Sequence, residues 1–280
     1  MSAPRRVREV LERHGLEARK SFGQNFLVDQ AALRAIVSAA EVARGDPVLE
    51  VGPGLGVLTA ALLAAGAAVT SVELDARLLP HLREEFAEEL ALAGPGSLEL
   101  VHGDALTFDL GRMPARAKLV ANLPYNVATP VVARALESGR FSRLVFLVQR
   151  EVAERLAAAP GSSAYGALSL LVGHFGRARV VRTVPPGAFL PPPKVTSAVV
   201  RLDTDPAATP DPGLFKLIHQ AFAHRRKTLV KNLVLAGYER GVVEAALGEL
   251  GLLPLVRAEE LDLRTLRALA DRLEAPTPLV

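Results

Sequence analysis

Directly after the apolar run at 118–121 stand Asn122-Leu123-Pro124-Tyr125, four residues whose types suit an uncommon reaction. An exocyclic amine on a nucleic-acid base is a poor nucleophile, because its lone pair is delocalised into the ring. Two convergent acceptors counter this by taking up the amine hydrogens and favouring a pyramidal nitrogen. The Asn122 side-chain oxygen and the Leu123 carbonyl offer such a pair. Pro124 stiffens the turn that aims them, and Tyr125 presents a ring on which a flipped base stacks, a contact of about 1–3 kcal/mol. An ordinary proline turn is the plainer alternative. With an activated leaving group on the donor no strong general base is required, since alignment alone supplies up to roughly 7–11 kcal/mol.

A donor site is written upstream. Gly52-Pro53-Gly54-Leu55-Gly56 follows the apolar run 47–51 and opens a helix, and Glu73 stands 21 positions after Gly52. Glycines permit a tight strand-to-helix turn and close approach of a ligand to the backbone. A carboxylate at the end of the next strand accepts hydrogen bonds from both ribose hydroxyls of a nucleoside. The spacing is G-x-G-x-G, whereas the dinucleotide fingerprint is G-x-G-x-x-G. That departure, with no obvious hydride-transfer acid, favours S-adenosyl-L-methionine over NAD and disfavours an NAD-dependent oxidoreductase. Asp104 after the third strand is placed either to accept from an adenine amino group or to cap a turn.

These residues require a scaffold that carries them on strand ends. Strands are expected at 47–51, 68–74, 98–102, 118–121 and 144–148, with helices at 57–65, 76–92, 131–137 and 151–159 between and after them. Such alternation predicts an α/β fold with a doubly wound, largely parallel sheet, whose ligands bind at the carboxyl ends of the strands. Further strands at 180–184 and 195–202 flank the proline-rich 185–193 and suggest an antiparallel edge. Three prolines in 203–213 read as a linker. Beyond it, 214–236 and 242–273 are helix-like. Two domains follow: 1–206, with a basic N-terminal extension, and a small helical domain at 207–280.

Composition narrows the chemistry further. The 280 residues are half apolar and 22% charged, and include no cysteine. That excludes disulfides, thiolate metal sites and cysteine nucleophiles, and no metal site is read elsewhere. No apolar run is long enough for a signal peptide or a membrane span, so a soluble cytoplasmic protein is expected, and nothing signals more than a monomer. The net charge of +3 averages over acidic stretches such as 84–89 and basic clusters at Arg5, Arg6, Arg8, Arg13, Arg19 and Lys20 and at Arg225, Arg226, Lys227 and Lys231. The second cluster recurs at helical spacing. Either cluster is a solvated face or a track for a phosphate backbone.

The chain resembles the KsgA family of ribosomal RNA adenine N6,N6-dimethyltransferases, relatives of the Erm resistance methyltransferases. The resemblance runs through Lys20-Ser21-Phe22-Gly23-Gln24-Asn25-Phe26-Leu27, Gly52 to Gly56, Glu73, Asp104, Asn122 to Tyr125 and Gln149-Arg150-Glu151-Val152. It continues through Phe189-Leu190-Pro191-Pro192-Pro193-Lys194-Val195 and Arg225-Arg226-Lys227-Thr228-Leu229. It implies a Rossmann-like class I methyltransferase fold with S-adenosyl-L-methionine as cofactor. Gln24, Asn25 and Leu27 would close over the methionine end of that cofactor. Gly52, Gly54, Gly56, Glu73, Leu74, Asp104, Ala105 and Asn122 would hold the rest. Phe189, by itself equally readable as a core residue, would sandwich the target adenine against Tyr125. The implied substrate is two adjacent adenines in the 3′-terminal hairpin loop of 16S rRNA, in the 30S subunit or its precursor, each receiving two methyls. An Erm-like enzyme acting on 23S rRNA and a ribosome-assembly factor acting mainly by binding are the alternatives.

Overall fold

Residues 144–148, an unbroken apolar run, are completely buried, as an interior strand covered on both faces of its sheet must be. Around that strand the computed structural model describes residues 3–17 and 24–273. Arg19 to Gly23 and the side chain of Arg6, named in the motifs above, lie outside the described residues.

The chain divides into two compact units, one holding the residues up to Ala153 with Gly176–Ala207, the other Glu154–Phe175 with the residues from Ala208. In chain order the first begins with α1 (Ala3–Arg13), β1 (Phe26–Leu27), α2 (Gln30–Ala40), β2 (Pro47–Val51), α3 (Val57–Ala64) and β3 (Ala68–Glu73). It continues with α4 (Leu79–Glu85), α5 (Ala87–Leu90), β4 (Leu98–His102), β5 (Ala117–Asn122), α6 (Ala128–Glu137) and β6 (Phe141–Gln149). After α7 (Arg150–Leu156) and α8 (Ala167–Phe175) the chain returns as β7 (Gly176–Val184), β8 (Phe189–Leu190) and β9 (Ser197–Thr204). The second unit is completed by α9 (Pro212–Ala221), α10 (Leu229–Leu235), α11 (Arg240–Glu249) and α12 (Leu263–Ala270).

Seven strands form one sheet in the order β4-β3-β2-β5-β6-β9-β7. The first five are parallel, while β9 pairs antiparallel with both β6 and β7. The α/β class and the antiparallel edge are therefore as the alternation predicts. Because β2 has β3 on one side and β5 on the other, the chain direction switches there, and the carboxyl ends of β2 and β5 open the crevice where α/β sheets bind ligands. A second, two-stranded sheet pairs Phe26 with Leu190 and Leu27 with Phe189. Among the described residues no helix is long and apolar enough to cross a membrane.

Three departures from the expected elements have local causes. The helix expected at 76–92 breaks at Phe86 (φ −117°, ψ 32°), which turns its ring under the glycine loop. The helix expected at 214–236 breaks at 222–228, where Asn232 Nδ2 donates to the carbonyls of Ala221 (2.6 Å) and His224 (3.2 Å) and Thr228 caps α10. Arg225, Arg226 and Lys227 therefore lie on a turn and not on a helix face, and Arg225 donates to the Ser163 carbonyl. Finally, 154–175 joins the helical unit, whereas the sequence suggests a boundary at 207 alone. Tyr165 donates to the Leu261 carbonyl at 3.1 Å, and Gly161 N–H to that of Glu259 at 3.2 Å.

Candidate functional site

Parallel register sets Val51 beside Val72 and Glu73 beside His102, and the loops after β2, β3, β4 and β5 line one open cleft. One wall starts with the glycine turn. Gly52, Gly54 and Gly56 have φ of 69°, 60° and 81°, a region costing other residues about 1–2 kcal/mol. Gly52 N–H donates to the Val72 carbonyl (2.9 Å), which locks the turn onto β3. Gly52 and Gly54 line the cleft, but Gly56 does not. A Cβ on Gly56 would lie 2.5 Å from the Phe86 ring, so the close approach that this glycine permits is that of a core aromatic.

Glu73 ends β3 with its carboxylate nearly buried and fixed by two backbone donors, Asp75 N–H to Oε1 (2.8 Å) and Gly54 N–H to Oε2 (3.2 Å). Burial raises its pKa, and the neighbouring Asp75 adds to this against the two hydrogen bonds. Each oxygen keeps acceptor capacity toward the cleft it lines. Leu74 beside it is 49% exposed, an apolar lip. Asp75 is tied to Arg77 (2.9 Å from Nε to Oδ1) and accepts from Gln24 Nε2 (2.9 Å), so Gln24 is drawn to the cleft from far upstream. Below the turn, Glu50 on β2 is fully buried. Its Oε2 accepts from Thr59 (2.7 Å) and Ser71 (2.5 Å), its Oε1 has no partner among the described residues, and burial pushes its pKa to about 7.

Asp104 lines the cleft with Ala105, and its Oδ1 accepts from Leu106 N–H (2.8 Å), which caps the turn. Arg134 clamps that loop from α6, donating to the carbonyls of Ala105 (2.6 Å) and Phe108 (3.1 Å).

The facing wall is Asn122 to Tyr125 at the end of β5. Asn122 Nδ2 donates one of its two hydrogens to the Asn25 carbonyl at 3.2 Å, which orients the amide and leaves Oδ1 as an acceptor. Leu123 N–H donates to the Leu147 carbonyl at 3.2 Å, anchoring the turn to β6. The half-buried Tyr125 shares a 2.6 Å hydrogen bond with the fully buried Ser197 Oγ on β9, and burial raises its hydroxyl pKa. Asn25 and Leu27 complete the lining.

Thirteen of the fifteen sequence-derived site residues thus meet in one cleft, and Gly56 and Phe189 do not. Phe189 is 3% exposed, paired with Leu27 across the small sheet and packed in the core. Its place as a second aromatic around a base is not met; its ring is a core side chain. Sequence reasoning missed Glu50, Asp75, Arg134 and Ser197. A carboxylate inside the apolar strand 47–51 was the available signal for Glu50. Ser197, two residues beyond the proline-rich motif, gave none without the partner 72 positions away.

The profile of the ribosomal RNA adenine dimethylase family matches residues 15–272. A ribosomal RNA small subunit methyltransferase A of Deinococcus radiodurans is 46% identical over 272 residues, covering 97% of this chain and 91% of the relative. One from a Synechococcus strain is 46% identical, covering 93% and 94%. Among solved structures, a dimethyladenosine transferase from Plasmodium falciparum superposes with a TM-score of 0.73 at 27% identity, covering 87% of this chain and 95% of that one. The 23S rRNA methyltransferase ErmE gives 0.66, also at 27%, covering 89% and 99%. On a match that spans nearly its whole length, the chain belongs to the ribosomal RNA adenine dimethylase family.

Proposed function

We propose that the protein transfers methyl groups from S-adenosyl-L-methionine to N6 of two adjacent adenines in the 3′-terminal hairpin loop of 16S rRNA, dimethylating both in the 30S subunit or its precursor. It would do so in the cytoplasm as a monomer. The observation that carries the reading is the pairing of walls. An acid held by backbone donors shares the cleft with an asparagine whose amide nitrogen is oriented by the Asn25 carbonyl, so that its oxygen suits the acceptor role.

The residues present fit the cofactor. Glu73 would accept from the ribose hydroxyls, Leu74 would cover an adenine face, and the second oxygen of Asp104 would accept from the adenine amino group. Gln24, Asn25 and Leu27 would close over the methionine end, with Gly52, Gly54 and Ala105 as backbone walls. When bound, the cofactor supplies a methyl group on a sulfonium, an activated leaving group. Asn122 Oδ1 and the Leu123 carbonyl would take up the hydrogens of the adenine amine and keep its lone pair directed into the cleft. Tyr125 would stack on the flipped base, held by Ser197. Loop adenines suit this site because hairpin bases are already partly unstacked. In the second unit Arg225, Arg226, Lys227 and Lys231 would contribute phosphate contacts.

The test is incubation with labelled S-adenosyl-L-methionine and undermethylated 30S particles, followed by mapping of the modified bases. Two dimethylated adenines in the 3′-terminal hairpin are expected. The likeness to ErmE keeps one rival in view: label confined to 23S rRNA in 50S particles would replace this reading with that one. Binding without incorporation would leave an assembly factor.

A further inference from the structure

The outermost strand of the sheet carries a row of cations that the cleft does not use. In β7, Arg177 pairs with Asp203, Arg179 with Arg201 and Arg182 with Val199. Those β9 partners are two residues apart and share one face of the sheet, so the three arginines share it as well. Simple alternation would not achieve this, because positions 179 and 182 differ by an odd number. The register shift between Val180 and Arg182 inserts the extra residue that returns Arg182 to the row.

The charge of the row is uncompensated. Arg177, Arg179 and Arg182 are exposed and make no side-chain hydrogen bond or ion pair among the described residues. Asp203 and Glu41, acids beside the row, are already paired. Asp203 accepts from Arg143 (2.6 Å) and Arg201 (2.7 Å), and Glu41, at the end of α2, accepts from the same two arginines. Two acids and two arginines cancel, and three positive charges remain. The row is also aimed. Ser197, which holds Tyr125, lies on the same face two residues before Val199. Arg182 is therefore nearest the cleft, and the row leads away from it along about 13 Å of β9.

We propose that Arg177, Arg179 and Arg182 form a rail for the phosphate backbone of the RNA whose base enters the cleft; this rests on the reading of the chain as an rRNA methyltransferase. Guanidinium forks match phosphate oxygens in bidentate fashion, and a strand presents them at regular intervals of about 7 Å. A row of free cations would also discourage edge-to-edge pairing of an exposed strand, which is the competing role to be separated.

The experiment compares the wild type with the combined Arg177→Gln, Arg179→Gln, Arg182→Gln variant and the combined Arg→Lys variant. Binding of undermethylated 30S particles is measured over a salt series, with methyl incorporation alongside. Each phosphate contact contributes about 0.7–0.9 to the log–log salt slope. The glutamine variant is expected to lose about 2–3 from that slope and to raise KM with kcat at saturation unchanged, while the lysine variant keeps most of the slope. An unchanged slope in the glutamine variant overturns the rail. So does self-association of that variant at unaltered 30S affinity, which would make the row an edge guard. Weaker binding to phosphatidylserine vesicles with 30S affinity intact would overturn it too. A wild type inactive on all ribosomal particles would overturn the functional reading, whereas an active wild type with an unchanged variant slope overturns the rail alone.

Discussion

The two walls of the cleft are built differently. On the glycine side the bonds that fix the acid and the turn come from within about 20 residues, Glu73 being held by Gly54 and Asp75 and the turn by Val72. Only Gln24 reaches in from further away, to Asp75. The Asn122–Tyr125 side has neighbours drawn from both directions, Asn25 lying 97 positions before Asn122 and Ser197 lying 72 positions after Tyr125. A wall that is self-supporting is preset for its ligand whatever happens elsewhere in the fold. A wall assembled from three segments depends on the packing that brings them together, so changes far away in sequence should act on the acceptor side alone.

The largest break in that comparison is Tyr125→Ala. Loss of a stacking ring is expected to lower kcat/KM for 30S particles roughly 100-fold, at the upper end of the stacking range, with S-adenosyl-L-methionine affinity by calorimetry unchanged. A parallel fall in cofactor affinity would show that the walls are not independent.

Glu50 tests the foundation of the glycine wall through pH. Burial holds its carboxyl protonated to about pH 7, with Glu73 adding to the shift against Ser71 and Thr59. Below the ordinary carboxylate range both folded and unfolded chains carry the proton and the group is neutral in its effect. As pH rises from about 4.5 to 7 the unfolded chain ionises first, so stability is lost across that window, reaching about 3 kcal/mol above it. Glu50→Gln should therefore flatten the profile of urea unfolding between pH 5 and 8. A variant with the wild-type slope would place the titrating group elsewhere. Glu73→Ala comes next: removing an acceptor of charge-assisted hydrogen bonds, at about 1.5–3 kcal/mol each, should weaken S-adenosyl-L-methionine roughly 30-fold. The affinity for 30S particles should be kept.

The same contrast explains what could be read from sequence. The glycine turn, Glu73 and Asp104 are legible because short spacings on strand ends are local properties, and the run 144–148 announces its burial by composition. Gly56 was assigned to the ligand because a glycine signals only that something comes close, and here it is the Phe86 ring. Phe189 could not be placed without knowing that a two-residue strand pairs it with Leu27, 162 positions away. The break before α10 depends on Asn232 reaching back to Ala221 and His224, and the transfer of 154–175 to the helical unit on Tyr165 meeting Leu261. Each miss turns on a contact that local sequence does not announce, whether a ring against a glycine, a backbone strand pairing or a side chain bonded to a carbonyl in another segment.

Ser197 gives the smallest and most discriminating test. Its hydroxyl is fully buried against the Tyr125 hydroxyl, and a hydrogen bond of this kind is worth about 1 kcal/mol net. Ser197→Ala should lower kcat/KM for 30S particles about 5-fold by loosening the ring, and Tyr125→Phe should do the same from the other end. Partners in one bond are not additive, so the double variant should be no worse than either single one. S-adenosyl-L-methionine affinity should stay level in all three. Additive losses would mean that the two hydroxyls act separately and that the ring is held by packing alone. The acceptor wall would then be as self-supporting as the glycine wall, and the contrast between them would fall.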